Sequence, residues 1–295
     1  MYLTPANALG IMLAGAVTGV LGAILGTGGG VFLIPILVLA LGMPMHFAVA
    51  TSILSVIATS SAVASTNVER GTANMRLGMT LEVATALGAI TGGLTAGWLR
   101  PRVLEGLFAL VLLPTAILMW RGCGEHAAGA TGEGAAGRTS GDEGPHRLDD
   151  SLGALGARYR DESEGGIVAY RVERLGAGLA ISFLAGNLSG LLGIGGGVFK
   201  VPALNLVCRV PIKAAAATSN FMIGVTAAAS ALLYYGRGEV RPALSAATVL
   251  GVLAGSALGS ILNRKVGGRA VRRLFAVLLL AVSAQMLYRA FLARG

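Results

Sequence analysis

Long apolar segments constrain the fold of this 295-residue chain more than any other feature of its sequence. A helix needs about 20 apolar residues to cross a bilayer. Eight segments have about that length, namely 5–25, 47–66, 78–99, 103–120, 173–192, 214–235, 243–263 and 270–292. Charged residues make up only 13% of the chain, against about 25% in soluble domains. The sequence therefore predicts an all-α polytopic membrane protein with the lipid bilayer as its surroundings.

The net charge of +9 is unevenly distributed along the chain. Nine of the 14 acidic residues lie between Glu125 and Glu164, and most basic residues flank the apolar segments. Basic residues at such positions anchor helices at lipid headgroups and set the topology of membrane proteins, so we expect no nucleic-acid partner. The two cysteines, Cys123 and Cys208, belong to no cluster with metal-ligand spacing. We therefore expect neither a metal ion nor a cofactor.

The apolar part of the chain repeats itself with a shift of 167 residues. Aligning Gly19–Ser52 with Gly186–Ser219 gives 17 identities in 34 positions without a gap. The centre of this alignment is the motif G-x-G-G-G-V-F-x-x-P, present at Gly26–Pro35 and again at Gly193–Pro202. The repeat predicts three regions: a first transmembrane repeat at 1–121, a hydrophilic, disordered cytoplasmic linker at 122–170, and a second transmembrane repeat at 171–295.

A short apolar run follows each glycine motif, at 31–41 and at 198–208. A helix of 11 residues covers only about 16 Å, half of a bilayer core. If the short runs cross with the extended glycine stretch, each repeat has five spans and the repeats are inverted. In that arrangement twelve basic residues outside the linker face one side and six the other, whereas four spans per repeat give nine and nine. Because basic residues concentrate on the cytoplasmic side, we predict inverted repeats, each with four long helices and one broken half-helix. Whether the short runs span or re-enter stays open.

The repeated glycine motif is the main candidate for a functional site. Backbone N–H groups inside the membrane must be satisfied or must face a water-filled cavity, and the start of a helix attracts anions. Two half-helices meeting near the midplane would form a site for a small anion, a device that secondary transporters use. The predicted substrate-binding residues are Gly28, Gly29, Gly30, Thr51, Ser52, Gly195, Gly196, Gly197, Lys200, Thr218, Ser219 and Asn220. Helix packing alone is the alternative role for these glycines.

Two charged residues in the apolar segments have different interpretations. Lys200 lies well inside an apolar run, where a charge is costly and commonly functional, so we expect it to attract an anion. Glu82 lies near the start of its segment and is interpreted as an interfacial residue that compensates the helix dipole. No aspartate lies in any apolar segment, so a carboxylate proton relay is not expected. The glycines with small-xxx-small spacing, Gly88–Gly92 and Gly251–Gly255–Gly259, are assigned to helix packing.

The doubled glycine motif, followed about fifteen residues later by A-T-S, resembles the TauE/SafE family of sulfite and organosulfur exporters. The resemblance covers both apolar halves. It implies a multi-pass permease of the inner membrane for sulfite, sulfonate or a related organosulfur or carboxylate anion. No ATP-binding motif is present, so we expect a proton gradient or the membrane potential to drive transport. An inside-negative potential favours export of an anion.

Two alternatives to a secondary transporter working by alternating access stay open at this stage. One is an anion channel or passive pore, and the other is a structural membrane subunit that does not transport. An enzyme is not expected, because the apolar segments contain no Ser/His pair, His cluster or Asp pair. The substrate, the coupling ion, the direction of transport and homo-oligomerisation are not determined by the sequence.

Overall fold

The structure of the protein is a computed structural model that describes residues 5–25, 29–120, 155–160, 167–262, 277 and 280–288. The first half contains α1 (Pro5–Leu25), α2 (Gly30–Pro35), a π-helical segment (Ile36–Ala40), α3 (Met45–Glu69), α4 (Met75–Trp98) and α5 (Pro101–Trp120). A hairpin of β1 (Ala157–Arg160) and β2 (Ile167–Tyr170) follows. The second half contains α6 (Leu175–Leu192), α7 (Gly197–Pro202), a second π-helical segment (Ala203–Val207), α8 (Ile212–Gly236) and α9 (Pro242–Leu262). Residues 280–288 are also helical.

The helices account for most of the apolar segments of the sequence. Within the described residues, five helices are long and apolar enough to cross a membrane: Met45–Glu69, Met75–Trp98, Leu175–Leu192, Lys213–Gly236 and Pro242–Gly259. The prediction of a helical multi-pass membrane protein is therefore confirmed. Of the last predicted segment, 270–292, residues 270–276, 278, 279 and 289–292 lie outside the described residues.

Glycine and proline set the ends of the short elements. Gly29 and Gly196 precede α2 and α7 with φ values of 77° and 71°, a left-handed conformation that glycine adopts without strain. Pro35 and Pro202 end these two helices, and each is followed by a π-helical segment. A proline within a helix supplies no N–H and its ring crowds the carbonyl four residues earlier. The repeated motif thus sets the bounds of α2 and α7, and each helical run continues beyond its proline as a π-helical segment.

Close helix pairs connect the two halves of the chain. Gly15 and Gly19 of α1 face the backbone of Thr248 and Val252 on α9. In the same way, Gly88 and Gly92 of α4 face the backbone of Phe183 and Asn187 on α6. Reciprocal contacts come from glycines on the partner helices, Gly186, Gly190, Gly251 and Gly255. The packing role predicted for Gly88, Gly92, Gly251 and Gly255 is therefore confirmed.

Helices α3 and α8 cross in opposite directions at the centre of the protein. Near the start of α3, His46 Nδ1 lies 3.9 Å from Oε1 of Glu239, which follows the end of α8. Just beyond the end of α3, the backbone N–H of Asn74 donates to Oγ1 of Thr218, near the start of α8, at 2.9 Å. The beginning of each helix therefore lies beside the end of the other.

The hairpin corrects the prediction that the linker is disordered over its whole length. Strands β1 and β2 pair antiparallel, with Ala157 opposite Tyr170 and Arg160 opposite Ile167. Tyr159 and Tyr170 are buried and make an edge contact with ring centroids 6.5 Å apart, in a cluster with Leu77 and Leu81 of α4. Burial raises the pKa of Tyr170 to about 12, so its phenol is neutral at physiological pH. The two buried aromatic rings pack this part of the linker against α4. Residues 121–154 and 161–166 lie outside the described residues.

The glycine contact between α4 and α6 predicts a large loss of stability in Gly92→Ala. A Cβ added to Gly92 would overlap the backbone of Asn187, with the carbonyl carbon at 2.8 Å, so the helices must separate. Overpacking of this kind costs about 1–3 kcal/mol. The matched control is Gly176→Ala on α6, where a Cβ meets no atom within 4 Å and helix propensity favours alanine by about 1 kcal/mol. Thermal unfolding in detergent should show a lower Tm for Gly92→Ala only; equal Tm values would contradict the contact.

Candidate functional site

The second glycine motif interrupts the helical path in the second half of the fold. Helix α6 ends at Leu192, and Gly193 caps it with φ 68° while its N–H donates to the Ser189 carbonyl at 2.8 Å. Gly195 and Gly196 continue with φ values of 82° and 71°. All three conformations favour glycine. The helical path is therefore interrupted over four residues, and α7 begins at Gly197.

The first glycine motif touches the second through one serine. The Ser52 hydroxyl on α3 donates to the Gly193 carbonyl at 2.9 Å and shares this hydrogen with the Gly30 carbonyl at 3.3 Å. A Cβ on Gly30 would lie 2.6 Å from Cγ2 of Val56 and 3.3 Å from the Gly193 oxygen. The start of α2 and the break before α7 are thus packed together, with Ser52 satisfying the carbonyls of both.

The equivalent serine of the second half has a different environment. Ser219 is fully buried on α8, and its hydroxyl has no hydrogen-bond partner among the described residues. A Cβ on Gly197, at the start of α7, would lie 3.9 Å from Ser219 Oγ and 2.6 Å from Cδ1 of Ile223. Buried hydroxyl groups in proteins are normally hydrogen-bonded, so an exception in a packed interior needs an explanation. A ligand oxygen is one partner that would satisfy this hydroxyl.

Lys200 is at the centre of a buried polar network one turn further along α7. Its Nζ donates to Thr226 Oγ1 at 2.6 Å and lies 3.8 Å from Oε2 of Glu82. Thr226 Oγ1 in turn donates to Glu82 Oε1 at 2.7 Å, and Thr85 Oγ1 donates to Glu82 Oε2 at 2.8 Å. The Lys200 and Glu82 side chains are only 1% and 6% exposed. This arrangement pairs the lysine charge with a carboxylate on α4.

The network corrects the interpretation of Glu82 as an interfacial residue. Helix α4 begins at Met75, three residues before the apolar segment that the sequence suggested, so Glu82 lies about two turns inside the helix. Its residue is 4% exposed and its carboxylate is held by two threonines and Lys200. Thr85 and Thr226 gave no signal of their own in the sequence, because small hydroxyl residues are common on membrane helices. The sequence did not reveal where α4 begins, and therefore did not show how far inside the helix Glu82 lies.

The other predicted site residues have different surroundings. The glycines Gly29, Gly30, Gly195, Gly196 and Gly197 lie at the starts of the two broken helices, and Ser52 and Ser219 lie beside them on α3 and α8. The hydroxyls of Thr51 and Thr218 are engaged elsewhere, the first with the Phe47 carbonyl and the second with the Asn74 N–H. Asn220 is partly exposed on α8. Gly28 lies outside the described residues.

Replacement of the two equivalent serines by alanine should affect stability differently. Ser52→Ala leaves two buried carbonyl groups without their shared donor, which costs about 1–3 kcal/mol. Ser219→Ala removes a buried hydroxyl that has no partner among the described residues, so the stability should stay the same or rise. Thermal unfolding of both variants without ligand tests this difference. A loss in Ser219→Ala as large as that in Ser52→Ala would contradict the assignment of the free hydroxyl.

Comparison with known proteins places the chain among membrane transporters. The family model described as sulfite exporter TauE/SafE matches residues 11–286. A probable membrane transporter protein, YunE of Bacillus subtilis, is 24% identical over 94% of this chain and 96% of its own length. A probable membrane transporter protein of Methanocaldococcus jannaschii is 23% identical over 89% of this chain and 88% of its own length. No solved structure matches the chain.

Proposed function

The chain belongs to the sulfite exporter TauE/SafE family, and from that premise we propose that this membrane transporter exports a small anion across the inner membrane. The resemblance predicted from the doubled glycine motif is confirmed by the family match over residues 11–286. The proposed substrates are sulfite, sulfonates and related organosulfur or carboxylate anions, in keeping with the family description. Transport is by alternating access and uses an ion gradient or the membrane potential.

The buried hydroxyl of Ser219 is the observation that carries the proposal. It lies at the start of α7, and no described residue satisfies it. The adjacent N–H groups begin a continuous helical run from Gly197 to Val207, whose amino end carries partial positive charge. Lys200 brings a full positive charge to the next turn. A hydroxyl, backbone N–H groups and an ammonium group together suit a small oxyanion.

We also propose that the two halves of the chain are inverted repeats. Helices α2, α3 and α4 begin at Gly30, Met45 and Met75, each 167 residues before the starts of α7, α8 and α9. The antiparallel crossing of α3 and α8 supports inversion, because helices at equivalent positions of parallel repeats would run in the same direction. Inverted repeats give alternating access a simple basis, since each half can adopt the conformation of the other.

Cysteine labelling from the two sides of the membrane tests the inversion. Glu69 and Gly236 are exposed, equivalent positions at the ends of α3 and α8. In a variant without Cys123 and Cys208, Glu69→Cys should react with an impermeant maleimide from the cytoplasmic side only. Gly236→Cys should react from the opposite side only, because inverted repeats place the two ends on different surfaces. Reaction of both from one side would contradict the inversion.

Anion counterflow in proteoliposomes tests the transport function and the role of Ser219. Vesicles loaded with sulfite, thiosulfate, sulfoacetate or acetate should exchange the cognate labelled anion with saturable kinetics. Ser219→Ala should lower the rate at least tenfold without loss of stability, since a hydrogen bond to a charged group contributes about 1.5–3 kcal/mol.

A matched control for that experiment is Ser65→Ala on α3, which removes an exposed hydroxyl bonded only within its own helix and should retain full exchange. Non-saturable flux would favour the passive pore, and no flux of any anion would favour the structural subunit. Full activity of Ser219→Ala would remove this serine from the site.

A further inference from the structure

The pair of Lys200 and Glu82 points to a coupling between the anion and a proton. We propose that Lys200 exchanges partners, holding the Glu82 carboxylate in the empty transporter and a monovalent oxyanion in the loaded one, while Glu82 takes up one proton. This inference rests on the proposed function, because it assigns the substrate charge and the coupling ion to the same site. It makes Glu82 a coupling residue, a role that differs from dipole compensation at an interface.

The positions of the groups allow the exchange. Gly197 at the start of α7 lies against Ile223 and beside Ser219, and Lys200, one turn later, reaches Thr226. Ser219, Ile223 and Thr226 recur at helical spacing on one face of α8. The flexible four-carbon side chain of Lys200 therefore has one polar partner, Thr226, on the same helix face as the unsatisfied Ser219 hydroxyl. An anion at Ser219 and the carboxylate of Glu82 compete for this ammonium group.

The proton follows from the burial of the carboxylate. Once Lys200 turns to an anion, Glu82 would be a buried carboxylate without a counterion, which is strongly unfavourable. Addition of one proton to Glu82 Oε1 or Oε2 removes this charge, while Lys200 keeps its own proton and its positive charge. The hydroxyls of Thr226 and Thr85 can donate to the carboxylate or accept from the carboxylic acid, so they fit both forms. On release of the anion the proton leaves, and the ion pair forms again.

The charge of the site selects the class of substrate. The loaded site contains one ammonium group and a neutral carboxylic acid, so a monovalent anion makes it electrically neutral. A divalent anion leaves one negative charge buried, which is costly. We therefore infer that the transported species carries a single negative charge, as a sulfonate or hydrogensulfite ion does. A monovalent anion and a proton that move together carry no net charge, so the membrane potential does not drive them. Export then requires an outward anion gradient that exceeds the inward proton gradient.

The other titratable groups on the surrounding described elements lie near the helix ends or in the apolar cluster that includes Leu81. Helix α6 has no charged residue, and α7 contributes only Lys200. On α4 the remaining charge is exposed Arg76, and on α8 the titratable groups are exposed Lys213 near its start and Tyr234 and Tyr235 near its end. The buried thiol of Cys208 and the buried phenols of Tyr159 and Tyr170 belong to the apolar cluster that includes Leu81. On α3, which packs against α8, the titratable groups are His46 and Glu69 near its two ends. Arg237 approaches α4 at Gly97, about four turns beyond Glu82.

Binding of methanesulfonate to the purified full chain at several pH values tests the coupling. This probe keeps a single negative charge between pH 6 and pH 8.5, so any pH dependence comes from the protein. Uptake of one proton with each anion predicts that the Kd rises about tenfold for each pH unit. Glu82→Gln removes the competing carboxylate and keeps an amide for the two threonines, so at pH 8 its Kd should be at least tenfold lower than that of the wild type.

Two control variants separate coupling from stability. Glu105→Gln neutralises another buried carboxyl group, on α5, and should retain the wild-type pH dependence. Glu82→Gln combined with Lys200→Gln keeps an uncharged polar pair that can fold and should lose methanesulfonate binding at every pH. Sulfate, the divalent comparison, should bind the wild type at least tenfold more weakly than methanesulfonate.

The outcomes distinguish this inference from the proposed function. A wild-type Kd that is independent of pH overturns the proton coupling even if Glu82→Gln does not fold, and so does a Glu82→Gln variant that binds no tighter than the wild type at pH 8. Both results would leave anion transport in place. Absence of binding and of counterflow for methanesulfonate, sulfite, thiosulfate and acetate would overturn the proposed function itself, and with it the coupling.

Discussion

Close backbone contact between helices from opposite halves is the constraint on which the structure depends. Lipid offers no hydrophobic force that drives one apolar helix against another, so stability comes from packing and from satisfied polar groups. Glycines on α1 and α4 face the backbones of α9 and α6, and glycines on those helices face back. The first long helix of each half is therefore held by a helix of the other half. Helices α3 and α8 cross between these two helix pairs, and both broken helices lie beside them.

The broken helices concentrate in one place the polar groups that lipid would not tolerate. Ser52 satisfies the carbonyls where the first motif meets the second, so this contact is a structural junction. Its equivalent, Ser219, has no such partner in the described part of the chain and lies beside the turn of α7 that leads to Lys200. The same sequence motif thus has two environments: the first copy contacts the second through Ser52, and the second copy lies beside a buried hydroxyl that no described residue satisfies. The Glu82 carboxylate supplies the charge that makes a buried Lys200 tolerable without an anion.

Much of the fold was predictable, because the lengths of the apolar segments and the positions of the glycines can be read locally in the sequence. Segment 5–25 coincides with α1, and the short runs after the motifs are the helical stretches 30–40 and 197–207.

The site was predictable only in part. The glycines and the serines were found from the repeat, but the partner of Lys200 depends on how α4 packs against α8, which no spacing within one segment reveals. The contacts of Thr51 with the Phe47 carbonyl and of Thr218 with the Asn74 N–H depend on local helix geometry and on the loop before α4, which the repeat does not reveal. The linker hairpin was missed because four-residue strands in a charged, glycine-rich stretch give almost no periodic signal.

The central claim is that a small anion binds at the second broken helix. The most direct measurement is the thermal stabilisation of the detergent-purified protein by sulfite, thiosulfate, sulfate, sulfoacetate, taurine, acetate and chloride. An anion at 100 times its Kd stabilises the folded state by about 2.7 kcal/mol. The account predicts a selective shift for one class of anion that is lost in Ser219→Ala, although that variant is as stable as the wild type without ligand. Equal shifts in Ser219→Ala and the wild type, or no shift with any anion, would contradict it.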